Sequence, residues 1–133
     1  MKYCADTWFI LQAFAKNTKA ISLIEETRRG KVRIIIPIIT FAESHKKLMQ
    51  RGVSQRLIED FFEGVEASEK VELILIDKAI AGEAARISHS YNVPLIDSFV
   101  AATSKLTACD LLLTGDSDYN LLIKSKYIKT QSW

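Results

Sequence analysis

Val32-Arg33-Ile34-Ile35-Ile36-Pro37 is the stretch on which the fold turns. A near-continuous β-branched run closed by proline reads as a strand covered on both faces, because a strand with one wet face would alternate apolar and polar positions. Such strands belong to parallel sheets, whose neighbours are reached through crossover helices. Upstream, residues 2–5 are short and apolar. Asp6-Thr7 then precedes helical spacing at Phe9, Ile10, Ala13 and Phe14, as a strand running into a helix N-cap would. Ile21, Leu23 and Ile24 open a further helix that Gly30 stops. Downstream, Thr40 to Met49 and Ser54 to Val65 read as two helices separated by Gly52, the second with Leu57, Ile58, Phe61, Phe62 and Val65 on one side. Val71 to Ile76 is a strand. Ile80, Ala84, Ile87 and Tyr91 mark a helix that Asn92-Val93-Pro94 breaks, and Asp97 heads a small-residue helix through Phe99-Val100-Ala101-Ala102. Leu111 to Leu113 is the next strand, Asp116 to Ile123 a short helix and Tyr127-Ile128 a last short strand. This alternation predicts an α/β fold, a parallel β-sheet flanked by helices on both faces in three layers.

The chain has 133 residues, the size of one domain spanning 1–133, with no repeat, linker or low-complexity segment. At 48% hydrophobic and 26% charged it has globular composition, which excludes a disordered tail or a coiled coil. A net charge of +2 is too mild to announce nucleic-acid binding. His45, Lys46, Lys47 and Arg51, and Lys124, Lys126 and Lys129, form local basic clusters that read first as solvated faces. Cys4 and Cys109 have neither disulfide-framework nor metal-ligand spacing and read as buried free thiols. The longest apolar runs, such as Ile34 to Ile39, are too short to span a membrane, and no signal-peptide pattern opens the chain, so a soluble cytoplasmic protein is expected. His45 and His89 fall on polar helix faces and read as surface residues. Trp8 and Trp133 read as packing or terminus anchors.

In an open parallel sheet, ligands bind outside the carboxyl ends of the strands, so acids immediately after strands are the ones to inspect. Asp6 follows Tyr3-Cys4-Ala5, and Asp116 follows Leu111-Leu112-Leu113-Thr114-Gly115. Glu43 lies in Thr40-Phe41-Ala42-Glu43-Ser44, and Asp97 in Pro94-Leu95-Ile96-Asp97-Ser98, both near the start of apolar helices. Two unit charges ~4 Å apart repel by about 4 kcal/mol at an effective dielectric of 20, so acids gathered at one rim need a positive partner. No Lys or Arg stands close in sequence to Asp6 or Asp97. A hard divalent cation, Mg²⁺ or Mn²⁺, fits oxygen ligands, whereas two histidines and mis-spaced cysteines do not suit zinc. Against this, Asp6 and Asp97 can be read as helix caps, Glu43 as a first-turn acid and Asp118 as a turn acid.

Four pieces taken together resemble the PIN domain along essentially the full chain: Ala5-Asp6-Thr7, Thr40-Phe41-Ala42-Glu43-Ser44, Pro94-Leu95-Ile96-Asp97-Ser98-Phe99-Val100-Ala101-Ala102-Thr103, and Leu112-Leu113-Thr114-Gly115-Asp116-Ser117-Asp118-Tyr119. The resemblance implies a metal-dependent ribonuclease directed at single strands. By that match Asp6, Glu43, Asp97 and Asp116 are the metal-binding acids, Asp118 a supporting acid and Thr114 a hydroxyl that orients the site. Stand-alone PIN domains of this length look most like VapC toxins of toxin–antitoxin pairs. That implies an RNA substrate, a protein antitoxin, a homodimer and no membrane partner, with the helical pair Thr40 to Val65, through Phe61, Phe62 and Val65, as the expected association surface. An RNA-processing nuclease and a PIN-like module that only binds RNA or protein are the alternatives. A receiver-like phospho-acceptor domain fits less well, because Asp6 stands alone where paired acids are needed and Asp116 stands where a lysine should be.

Overall fold

The structure is a computed structural model that describes residues 1–131; Trp133 lies outside the described residues. Lys2–Ala5 (β1) runs through the sheet interior, parallel to Arg33–Pro37 (β2) on one side and Leu111–Leu113 (β4) on the other. Val71–Ile74 (β3) adds beyond β2, giving the order β3-β2-β1-β4 with every pair parallel. Cys4 aligns with Ile35 on one neighbour and Leu112 on the other. The order runs one way from β1 to β2 and the other way to β4, so the crevice between the ends of β1 and β4 is the switch point at which such sheets hold ligands.

Both faces of the sheet are covered, as the Ile34-Ile35-Ile36 run demands, and the layers follow from the strand period of two. Ala5, Ile34, Ile36 and Leu113 face a core built with Thr7–Phe14 (α1), Thr18–Arg28 (α2) and Gln55–Glu66 (α4), through Phe9, Ile10, Leu23, Ile24, Ile58 and Phe62. Cys4 and Leu112 face a second core built with Lys78–Tyr91 (α5) and Leu95–Leu106 (α6), through Ile80, Ala84, Ile87, Val100, Ala101 and Ala102. The expected three-layer α/β/α architecture is what forms. Ile38–Gln50 (α3) starts directly at Pro37, which is at once the last residue of β2 and the N-cap of the helix.

Local chemistry moves several boundaries. The side chain of Asn17 accepts from the amides of Lys19 and Ala20, so α2 starts at Thr18, before its apolar stripe begins. β3 stops at Ile74, and Leu75 is exposed. The expected helix from Asp116 to Ile123 divides into a 3₁₀ turn, Ser117–Tyr119, and Asn120–Lys124 (α7). Tyr127-Ile128 is not a strand. Lys126 takes a left-handed φ of 61° after α7, and the Tyr127 amide donates to Leu122 O at 2.9 Å, so the helix end uses the donor that a sheet would need. The chain meets the sheet edge only afterwards, as an isolated parallel bridge between Thr130 and Leu112.

Candidate metal centre

Asp6 stands at the end of β1 in the N-cap position of α1, yet its side chain makes no capping bond. It turns instead to the switch point. There Thr114 Oγ1 donates to its Oδ2 at 2.7 Å and the Tyr119 hydroxyl donates to its Oδ1 at 3.0 Å. Burial raises its pKa above the ordinary carboxylate value; the Thr114 and Tyr119 hydroxyls and the Thr7 amide oppose that shift, and the charge of Asp116 adds to it.

Asp97 is no helix cap either. Pro94 holds the N-cap position of α6, and Asp97 lies inside the first turn, with its Oδ1 3.5 Å from the Tyr119 hydroxyl. Its pKa is pushed up to about 7, first by burial, then by a hydrogen bond shared with Asp118 and by the charges of Asp6, Asp116 and Asp118. Asp116 follows β4. Its amide donates to Thr114 Oγ1 at 3.0 Å, and its Oδ1 accepts from the Asp118 amide at 2.9 Å, which closes the turn into the 3₁₀ segment. One carboxylate oxygen each from Asp97, Asp116 and Asp118 lies within 4.8 Å of the others. Glu43 stands apart from this trio, in the second turn of α3, where Thr7 Oγ1 donates to its Oε1 at 2.5 Å. Its first-turn reading is thereby excluded.

The sequence profile of the PIN domain matches residues 3–123. The chain belongs to the PIN domain family. No curated protein sequence matches it. The fold is shared with VapBC2 of Rickettsia felis bound to a promoter DNA fragment, at a TM-score of 0.73 and 14% identity over 100% of this chain and 99% of that one. It is also shared with VapBC-1 of nontypeable Haemophilus influenzae, at 0.69 and 19% over 100% and 98%. VapC20 of Mycobacterium tuberculosis, described as a sarcin-ricin loop cleaving toxin, matches at 0.69 and 14% over 89% and 92%.

The donor set of this PIN domain suits a hard cation. Three carboxylate oxygens within 4.8 Å can close on one ion at the 2.0–2.6 Å distances typical of Mg²⁺, Mn²⁺ and Ca²⁺. Among the described residues, no lysine, arginine or histidine forms a salt bridge with any of these acids.

Two hydroxyls that sequence reasoning left without a role complete the centre. Tyr119 is fully buried and reaches both Asp6 and Asp97, and Thr7, which follows Asp6 in the first motif, holds Glu43. The position of Tyr119 beside Asp118 in the last motif was the only available signal. Beside Glu43 a cleft of about 230 Å³ opens between α3 and α6, lined by Ile39, Ala42, Lys46, Lys47 and Ile96.

Other expectations change. His45 is not a polar-face residue: its Nδ1 lies 2.8 Å from Phe41 O, and its ring stacks on Phe62 at 4.8 Å. His89 is exposed, as expected. Of the expected association surface, Phe62 and Val65 are buried and build core, whereas Phe61 is half-buried and meets Phe14 edge-on at 5.4 Å. Cys4 and Cys109 are free, Cys4 buried and Cys109 only partly so. No helix among the described residues is long and apolar enough to cross a membrane.

Proposed function

We propose that this PIN domain is a divalent-metal-dependent endoribonuclease, the toxin of a toxin–antitoxin pair. One observation carries the metal and nuclease reading: Asp97, Asp116 and Asp118 bring three carboxylate oxygens within 4.8 Å at the sheet's switch point, with no salt bridge to any of them among the described residues. The toxin reading is supported by the full-length likeness of fold to VapC proteins.

When bound there, Mg²⁺ or Mn²⁺ supplies an acidified water and neutralises charge that builds on the scissile phosphate. Asp97, Asp116 and Asp118 hold the ion. Asp6 sits behind them with its two oxygens fixed by Thr114 and Tyr119, and so adds negative charge to the centre without competing rotamers. Glu43, held by Thr7 at the mouth of the cleft, is the acid placed to orient water or a second ion. Lys46 and Lys47 line the same cleft as Ile39 and Ile96, which suits an unpaired strand with a charged backbone and apolar base faces. Water attack leaves a 5′-phosphate and a 3′-hydroxyl. The same reading places the protein in the cytoplasm as a homodimer held inactive by a protein antitoxin.

The deciding experiment is incubation of purified protein with single-stranded RNA in Mg²⁺ or Mn²⁺, with and without EDTA, followed by analysis of the new ends. Metal-dependent internal cleavage with 5′-phosphate products is the expected result. Absence of both Mn²⁺ binding and cleavage overturns the proposal, and Mn²⁺ binding without cleavage favours a module that only binds.

A further inference from the structure

Gly115 joins Thr114 to Asp116 in the turn that leaves β4, and its backbone does not itself require glycine. Among the described glycines, only Gly30 and Gly52 have positive φ. What the position cannot accept is a side chain. A methyl group on Gly115 would lie 2.5 Å from Cε2 of Trp8, 2.6 Å from Cζ2 and 3.0 Å from Nε1. Carbon atoms in contact sit about 3.5–4.0 Å apart, so the turn or the indole would have to move by roughly 1 Å. The indole is poorly placed to yield, because Trp8 lies in the first turn of α1 and packs against the core that contains Phe9 and Ile10.

We infer that Trp8 is a positioning residue for the metal centre: its indole is the surface against which the Thr114-Gly115-Asp116 turn is set, and Gly115 is glycine so that the backbone can lie there. This rests on the metal-centre reading above. The polar bonds around Asp116 fix the shape of the turn, since its amide is bound by Thr114 and its Oδ1 by the Asp118 amide. Thr114 Oγ1 also links the turn to Asp6 at 2.7 Å, which leaves open how closely the Gly115 backbone approaches α1. The indole sets that distance, and it belongs to the helix that begins directly after Asp6. Trp8 thus ties the acid after β1 to the acids after β4. Cation–oxygen distances tolerate only a few tenths of an ångström, so a shift of about 1 Å in the turn carries Asp116 and Asp118 out of register with Asp97.

The test is calorimetric titration with Mn²⁺, beside a melting curve without metal, on the full chain as wild type, G115A, W8L and W8L/G115A. G115A should bind Mn²⁺ at least tenfold more weakly. The double variant should recover from G115A to the level of W8L, because the clash is gone but the positioning surface is gone with it, and loss of the half-buried indole keeps its melting temperature below wild type. A packing role alone predicts that affinity does not recover when the indole is removed. Wild-type affinity in G115A, or a double variant no better than G115A, overturns the inference and leaves the metal centre standing. If G115A does not fold, W8L decides: it keeps Gly115 and every acid, and it should lose Mn²⁺ affinity with W8F intermediate, whereas wild-type affinity in W8L overturns the inference. Failure of the wild type itself to bind Mn²⁺ strikes the metal-centre reading and removes the inference with it.

Discussion

The hydroxyl of Tyr119 donates to Asp6 Oδ1 at 3.0 Å across a sequence separation of 113 residues, with Tyr119 0% and Asp6 2% exposed. A carboxylate this deep has almost no water to solvate it. Two hydroxyls, from Tyr119 and Thr114, take the place of that water. Hydrogen bonds to a charged acceptor contribute about 1.5–3 kcal/mol, enough to offset part of the burial that drives the Asp6 pKa upward.

Tyr119→Phe keeps the ring in its core and deletes the donor. The apo protein should lose ~1–3 kcal/mol in urea unfolding, the range for leaving a buried polar group short of a partner. Mn²⁺ affinity should fall as well, because Asp6 is freed from its fixed orientation and holds its proton more tightly. Unchanged stability and unchanged Mn²⁺ affinity together would show that the bond does not matter.

Thr114 serves two acids with one oxygen, donating to Asp6 at 2.7 Å and accepting from the Asp116 amide at 3.0 Å. Thr114→Val preserves shape and loses both bonds, while Thr114→Ser keeps both. At roughly 1.4 kcal/mol per decade, the valine variant should lose about tenfold or more in Mn²⁺ affinity and the serine variant much less. Equal losses in the two variants would assign the residue to packing.

The raised pKa of Asp97 makes apo stability depend on pH. Its folded value is about 7 against about 3.9 for an unperturbed aspartate, so between those values the native state holds a proton that the unfolded chain has released. Stability must then fall as pH rises through that window, by at most about 1.4 kcal/mol per pH unit from this group, and Asp6 acts in the same direction. Saturating Mn²⁺ should reverse the trend by favouring the ionised forms. Melting temperatures between pH 5 and 8, with and without Mn²⁺, check it, and identical pH profiles under the two conditions would count against the site.

Much of this was legible in the chain because it depends on local rules. The Ile34-Ile35-Ile36 run required two covered faces, and acids placed just after β1 and β4 had to meet wherever a parallel sheet reverses its strand order. What escaped depends on tertiary addresses. Tyr119 closes the last motif without a role of its own until its hydroxyl is found against Asp6. Asp118 reads as a turn acid by itself and as a supporting acid by the motif, and neither reading gives its place in one trio with Asp97 and Asp116, while Asp6 is taken by hydroxyls. His45 has lysines beside it in sequence, but Phe41 one turn back and Phe62 on the neighbouring helix enclose its ring.

Asp97→Asn separates the metal reading from the structural one most sharply. The change preserves shape, and the carboxamide can still donate to Asp118 as protonated Asp97 does, while the charge that holds a cation is gone. Repulsion among crowded acids, bounded by about 4 kcal/mol for a pair ~4 Å apart at an effective dielectric of 20, is relieved. The apo melting temperature should therefore hold or rise, more at pH 8, where wild-type Asp97 is ionised, than at pH 5, where it is largely protonated. Mn²⁺ binding and RNA cleavage should both be lost. Asparagine would substitute well for a capping aspartate, but Pro94 occupies the cap, so no gain or loss of capping blurs the comparison. The measurement is a metal-free melting curve at the two pH values beside Mn²⁺ titration and a cleavage assay on single-stranded RNA, wild type against variant. Full cleavage by the variant would sink the assignment of Asp97, whereas a higher melting temperature at pH 8 with neither Mn²⁺ binding nor cleavage is the outcome that only a metal-holding carboxylate explains.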